Sequence, residues 1–321
     1  MPQPTLSAVH VNRPLTNISR AYIQNASHFI AAQVFPRVPV EKKSDLYFTY
    51  DKSDFMRDEM RKRAPGTESH GSGYNVGTDS YVCDVWALHK DLDDQILANY
   101  DAPLDAERDA TVWLSQQGLI RQERQFATDF FGTGIWGTDV VGGTGFTKWD
   151  DPASNPEVDV ATGRTTILQN TGTMPNTLVV SHTVHESLKR HPVIKDRFKY
   201  TSSESITEQL LARFFEVDRY LVSRAVYTAS NENASSPSFT FAVGKNALLA
   251  YVNPAPSLLT PSAGYIFTWR GLLANAGGDL GTATKKFRME PIASDRIEME
   301  MAFDMKKVAA DCGYFFSAAV D

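Results

Sequence analysis

The sequence predicts an α+β fold, and three observations carry that expectation. Residues 103–131, PLDAERDATVWLSQQGLIRQERQFATDFF, read as one long helix. Residues 150–226 alternate short helical and strand-like stretches in a small mixed unit. Lys286–Phe303 alternates apolar and polar residues as a half-exposed strand does, with Ile297, Met299, Met301 and Phe303 on one side and Glu298, Glu300 and Ala302 on the other. The chain has 321 residues, 42% hydrophobic and 11% aromatic, enough for one large domain or two small ones and not the composition of a disordered chain.

In chain order, residues 1–17 are polar, carry Pro2, Pro4 and Pro14 and show no period, so they read as an extended arm. Such an arm is either a frayed terminus or a strap across a neighbouring subunit. Asn17 is placed to cap a short helix over Ile18–Ala32, with Tyr22, Ala26, Phe29 and Ile30 on one side, ended by Pro36 and Pro39. From Leu46 to Leu88, two strand-like stretches, LYFTYDKSDF and YVCDVWAL, flank the polar run FMRDEMRKRAPGTESHGSGYNVGTDS. That pattern predicts a long hairpin reaching away from the body, the alternative being a disordered surface loop. In its tip Arg57, Arg61, Lys62 and Arg63 interleave with Asp58 and Glu59, so the acids largely cancel the basic cluster as a nucleic-acid signal.

Asp91–Asn99 reads as a short helical turn before the long helix. Pro103 stands where proline is tolerated in a first turn, and Asp105 and Glu107 put negative charge where the helix dipole favours it. Apolar pairs Val112/Trp113, Leu119/Ile120 and Phe126/Ala127 draw one stripe, and the other face is predicted to carry Glu107, Arg108, Gln116, Arg121, Glu123 and Arg124. Gly132 and Gly134 stop the helix, and the glycine-rich run that follows reads as a flexible connector. Further on, the sequence predicts helices over Pro156–Gln169, Thr183–Arg190 and Ser205–Phe215. It predicts strands over Thr177–Ser181, Val217–Val226, Ser238–Val243, Ala247–Tyr251, Gly264–Trp269 and Gly313–Val320.

The formal net charge of -6 argues against a protein whose main task is gripping phosphates. Cys83 and Cys312, far apart in apolar contexts, read as buried free thiols. No signal-peptide h-region or membrane-length apolar run is present, so synthesis in the cytoplasm and no membrane association are expected. Gly132, Gly134 and Gly137 match G-x-G-x-x-G formally, but a helix precedes them where the dinucleotide fingerprint needs a strand. His182, His185 and Glu186 form H-x-x-H-E, which matches neither helical zinc-hydrolase spacing. Asp93/Asp94 and Asp150/Asp151 sit in turn-like contexts where carboxylates cap. No nucleophile elbow, C-x-x-C pair or Walker loop is present, so no catalytic residue, cofactor or metal is assigned.

The ordered set of arm, protruding hairpin, long helix, small α/β unit and late strand resembles the major capsid proteins of tailed bacteriophages, whose fold is the Johnson or Hong Kong 97-like fold. RAYIQNASHFIAAQVFPRVPVEKKSDLYFTY resembles the start of a subset of these proteins. WDDPASNPEVDV, TGTMPNTLVVS and LKRHPVIKDRFKY resemble the beginning of their axial domain, and VGKNALLAYVNPAPSLLTPSAGYIFTW a later part of it. The resemblance implies a self-assembling shell subunit with an N-terminal arm (1–45), an extended loop (46–82), a peripheral domain with a spine helix (83–149), an axial domain (150–287) and a return to the peripheral domain with the C-terminus (288–321). It implies hexamers and pentamers of the chain itself, a separate scaffolding protein, a portal protein and a decoration protein as partners, and a virion shell, assembled in the bacterial cytoplasm, around DNA that is not bound by sequence. Mixed charge on Arg57, Asp58, Glu59, Arg61, Lys62 and Arg63 suits register between subunits. Two other readings stand beside it: an encapsulin-type nanocompartment shell, and a hydrolase using His182 or His185.

Overall fold

The computed structural model describes residues 23–98, 105–198, 206–231, 234–255, 260–272 and 278–321. The first 22 residues of the expected arm, the cap at Asn17, the helix start at Pro103 and the first residue of the helix expected from Ser205 lie outside them.

Two five-stranded sheets organise the molecule. The first is built on β13 (Ser294–Lys307). Strand β4 (Asp84–Asp93) pairs along one edge of β13, from Ser294↔Asp93 to Phe303↔Asp84. The other edge is shared by β12 (Thr282–Met289) and β11 (Gly264–Trp269), and β1 (Arg37–Val40) runs parallel beyond β11. The long strand expected over Lys286–Phe303 is thus a hairpin, because Glu290-Pro291 opens a single 3-10 turn and Ala293 takes a left-handed φ of 45° to reverse the chain. Its alternation holds in part on the β13 side: Ile297, Met301 and Phe303 are buried, but Met299 is half-buried and Ala302, expected on the exposed side, is fully buried.

The long helix, α4 (Ala106–Phe130), lies on this sheet, about 38 Å from end to end. Asp105 caps it, its carboxylate accepting from the Glu107 and Arg108 N–H groups, both at 3.1 Å. The predicted stripe is corrected. The buried positions are Ala106, Ala110, Leu114, Gln116, Gly118, Gln122, Glu123, Phe126 and Phe130, whereas Val112 and Trp113 are exposed. Small residues face the sheet so that the helix comes close: a Cβ on Gly118 would stand 3.0 Å from both Met299 Cε and Met301 Sδ. Gln116 and Glu123, expected on the solvent face, are inside.

The second sheet has the order β5 (Thr138–Val141), β14 (Gly313–Ser317), β10 (Ala247–Ala250), β6 (Thr177–Ser181), β7 (Arg219–Ser223). Its inner strands are buried on both faces, as continuous apolar runs such as TLVVS and ALLA require. Leu178, Val180, Ala247, Leu249, Tyr314 and Phe316 face a core with α5 (Pro156–Thr171), α6 (His182–Arg190), α7 (Pro192–Phe198) and α8 (Glu208–Phe214). Val179, Leu248, Ala250 and Phe315 face a second core shared with Phe126 and Phe130 of α4 and Met301, Phe303 and Met305 of β13. One apolar core therefore joins the two sheets.

Strand pairing cuts across the expected segments. β11 and β12 fall in the first sheet although 150–287 was expected to form one unit, and 288–321 divides, with β13 in the first sheet and β14 in the second. The glycine-rich connector holds an edge strand, β5. The strand expected over Val217–Val226 breaks after Ser223 and resumes as β8 (Val226–Thr228), paired with β9 (Phe239–Phe241). The helix expected over Ile18–Ala32 is, in its described part, a 3-10 turn at Ala26–His28 capped by Asn25 and a single turn α1 (Ala31–Val34). An extended Phe29 separates the two.

Candidate assembly surfaces

Residues 44–82 form a hairpin, but not with the strands expected: its second strand is Val76–Val82, and of YVCDVWAL only Tyr81 and Val82 belong to it while residues 84–88 lie in β4 of the first sheet. β2 (Ser44–Tyr50) and β3 (Val76–Val82) pair antiparallel from Ser44↔Val82 to Tyr50↔Val76. Strict alternation gives it two unlike faces. Tyr47 and Tyr81 turn inward and stack on Phe267, with centroids 5.7 and 4.7 Å away, and Cys83 is buried beside them. The Val82 N–H donates to Asp304 Oδ2 at 2.9 Å, and the Tyr47 hydroxyl donates to Asp79 at 2.8 Å. Leu46 (62% exposed), Phe48 (58%), Val76 and Val82 stand on the outer face.

The tip has a small core of its own, in which Tyr50, Phe55 and Tyr74 meet with centroids 5.3–6.1 Å apart. Asp51 caps α2 (Lys52–Met56), and the Asn75 N–H donates to Asp54 at 2.8 Å. Lys52 reaches Asp311 of the body at 2.5 Å. Of the six predicted contact residues, Arg57 pairs with Asp54 at 3.1 Å and with Glu59 at 3.2 Å, and Arg63 donates to the Thr67 carbonyl. Asp58 accepts from the Met60 N–H at 3.3 Å. Arg61 and Lys62 are exposed and make no ion pair among the described residues. The structure thus gathers all six on one tip, with some charges satisfied internally and two left outward.

A second exposed face was not foreseen. β4 ladders only to β13 among the described residues, so its outer edge is open. Val85, Trp86 and Leu88 on β4 and Val112 and Trp113 on α4 are exposed. The Arg121 guanidinium lies 3.7 Å over the Trp86 ring, and Lys90 lies 5.8 Å from that of Trp113. A signal was present in the sequence: Val112 and Trp113 fall off the four-residue rhythm of Ala106, Ala110, Leu114 and Gly118. At the far end of the same sheet Lys285 pairs with Glu298 and Glu300, Lys286 with Glu107 and Asp295, Arg288 with Asp94 and Asp295, and Arg296 with Asp91. The alternating TKKFR and IEMEM segments meet there across the β12–β13 hairpin.

The histidines do not form a catalytic centre. His185 is a core residue with Nδ1 3.1 Å from the Tyr220 hydroxyl, and burial pushes its pKa down to about 4. His182 packs on Phe241. Among the described residues no three His, Cys, Asp or Glu side chains are placed to hold a metal ion. His191 and Ser154 are 3.0 Å apart, yet both are buried and the other His191 ring nitrogen meets no partner. Cys83 and Cys312 are buried free thiols pushed up to about 12 by burial. Asp93 and Asp151 accept from the N–H groups of Gln95 and Ala153, the capping role expected of them. No described helix is long and apolar enough to cross a membrane.

No family model matches the chain. It is 24% identical over 319 residues to the major capsid protein of Burkholderia phage BcepMu, covering 97% of this chain and 98% of that one. Among solved structures it is similar to a phage-related protein of Bordetella bronchiseptica RB50, with a TM-score of 0.68, 23% identity and coverage of 92% and 93%. It is also similar to the capsid of a native GTA particle, with a TM-score of 0.62, 10% identity and 98% coverage of both chains. The fold is that of the Hong Kong 97-type capsid proteins, an α+β fold, and the chain resembles phage major capsid proteins over nearly its whole length.

Proposed function

We propose that this chain is the major capsid protein of a tailed bacteriophage, many copies of which assemble into the icosahedral shell around the double-stranded DNA genome. The observation that carries the reading is full-length similarity to a phage major capsid protein joined to the capsid fold. The same relative disfavours an encapsulin compartment, and the separated, packed histidines give no support to a hydrolase. Its role is structural, in the virion capsid, and no catalytic step is assigned to it.

The hairpin is the part built to bind another copy. Its outer face presents Leu46, Phe48, Val76 and Val82, and the β4–α4 face is aromatic and basic. Contact between these two unlike patches is heterologous, the kind of interface that builds a ring when its rotation closes. Arg61 and Lys62 at the tip supply charge for register against the neighbour, with Arg57, Asp58, Glu59 and Arg63 shaping the tip that presents them. Residues 24–40 pack within the subunit, so the strap between capsomers falls to the residues before them, and a scaffolding protein, a portal and a decoration protein complete the particle, which assembles in the host cytoplasm.

The test is expression of the chain, alone and with a candidate scaffolding protein, read by negative-stain electron microscopy and size-exclusion chromatography. Closed shells, or hexamers and pentamers, are expected. A strictly monomeric chain in the presence of scaffold would overturn the reading.

A further inference from the structure

Residues 24–37 are stitched into the junction of the two sheets by contacts to α4 and to the β7–β8 edge. The Gln24 side-chain amide donates to the Val226 carbonyl at 2.6 Å and accepts from the Val226 N–H at 2.9 Å. The Arg224 N–H donates to the His28 carbonyl at 3.3 Å, Arg219 donates to the Gln33 carbonyl at 2.7 Å, and Arg37 reaches Gln122 at 3.4 Å. At the centre stands Glu123 of α4, 1% exposed. Its Oε2 accepts from the Ile30 and Ala31 N–H groups, each at 2.9 Å, and its Oε1 from the Ser223 hydroxyl of β7 at 3.0 Å. One carboxyl group therefore joins three elements: the N-terminal segment, the long helix and the second sheet.

Glu123 has no cationic partner among the described residues. The charged and titratable groups on the elements packed against it are engaged elsewhere. Arg37 is on Gln122, and His28 is half-buried at the end of its turn. Arg121 lies over Trp86 and Arg124 over Tyr227. Arg219 bonds to Gln33 and Thr177, and Arg224 to Glu208. Burial without counter-charge favours the neutral form of a carboxyl, and donors around it favour the ionised form. Burial outweighs the three donors and pushes Glu123 up to about 7.

We propose that Glu123 is a proton-sensitive clasp that fastens residues 28–35 between the long helix and the second sheet, holding when neutral and easing when ionised. When neutral, Oε2 still accepts from both N–H groups, and the acid proton turns to Ser223 Oγ. When ionised, the carboxylate gains more from water than the junction gives it, so local opening becomes easier. The sign follows from linkage. The folded pKa is raised, so the clasp is fully fastened below the ordinary glutamate pKa and loses hold as pH rises through about 7. The inference concerns the single subunit and does not depend on the proposed capsid role.

Hydrogen exchange of the full chain from pH 5 to 8, corrected for intrinsic rates, tests it. In the wild type, protection of the Ile30 and Ala31 amides is expected to fall at least tenfold across that range. Glu123→Gln keeps the acceptor and the Ser223 contact but cannot ionise, so its protection is expected to stay level. That comparison isolates Glu123 from the other side chains of the segment. Ser223→Ala removes a donor that favours the carboxylate and moves the midpoint to higher pH, a shift a merely structural role would not produce. Level protection in the wild type, an equal fall in Glu123→Gln, or an unmoved midpoint in Ser223→Ala would each overturn the proposal. If Glu123→Gln does not fold, the Ser223→Ala midpoint decides.

Discussion

At Gly313, the first residue of β14, a Cβ would stand 2.1 Å from Trp136 Cε3. Trp136 cannot swing away freely, because its indole N–H donates to the Phe130 carbonyl at 2.8 Å at the end of the long helix. Gly313→Ala is therefore expected to cost about 1–3 kcal/mol, the range for overpacking a filled core, measured as a lowered denaturant midpoint. His185 acts through its charge instead. Its folded pKa is depressed to about 4, so its contribution is present above the ordinary histidine pKa and lost as pH falls through about 4. Thermal melting between pH 7 and 4 is expected to show this loss, and His185→Gln is expected to melt with a shallower acid slope. The raised thiols of Cys83 and Cys312 predict no reaction with a thiol reagent until the chain is denatured.

Among the elements, the hairpin makes a paired prediction. Leu46 and Phe48 are more than half exposed in the folded subunit, so replacing each with Ser is expected to move monomer stability by no more than about 0.5 kcal/mol while abolishing particle formation. Circular dichroism melting beside electron microscopy measures both. Several elements were legible from local pattern alone: β11 over Gly264–Trp269 and β6 over Thr177–Ser181 match their expected bounds, the long helix stands where turn residues put it, and a hairpin was expected in the right region but with its second strand too late in the chain. The buried face of the helix was not legible. Apolar pairs seven residues apart mark where large side chains lie, whereas this helix turns Ala106, Ala110 and Gly118 to the sheet and leaves Trp113 outside. Glu123 was equally hidden. A charged residue reads as solvent-facing until its tertiary partners, Ile30, Ala31 and Ser223, are known to meet it. At the hairpin tip the charge pattern located the cluster. It could not say that Arg57 and Arg63 are spent on the loop itself while Arg61 and Lys62 are not.

Across the whole molecule, the shared core of α4, β13 and the second sheet makes the two sheets one structural body, with Glu123 at its seam. Shell assembly then draws on surfaces this body leaves unpaired, and the shells expected from co-expression are the test at this scale. The position of β14 has a further consequence. The strand is made after every other strand yet sits between β5 and β10, bonded to both. At ordinary translation rates of about 5–20 residues per second, several seconds on the order of 3–12 pass between synthesis of Ala250 and Gly313. During that interval the growing chain on the ribosome holds β10 with one edge unoccupied and the second sheet incomplete. Neighbouring nascent chains on one message thus carry no finished subunit to one another. Synthesis of Gly313–Ser317 times the appearance of assembly-competent protein, and a transcript truncated before Gly313 is expected to yield a protease-sensitive chain.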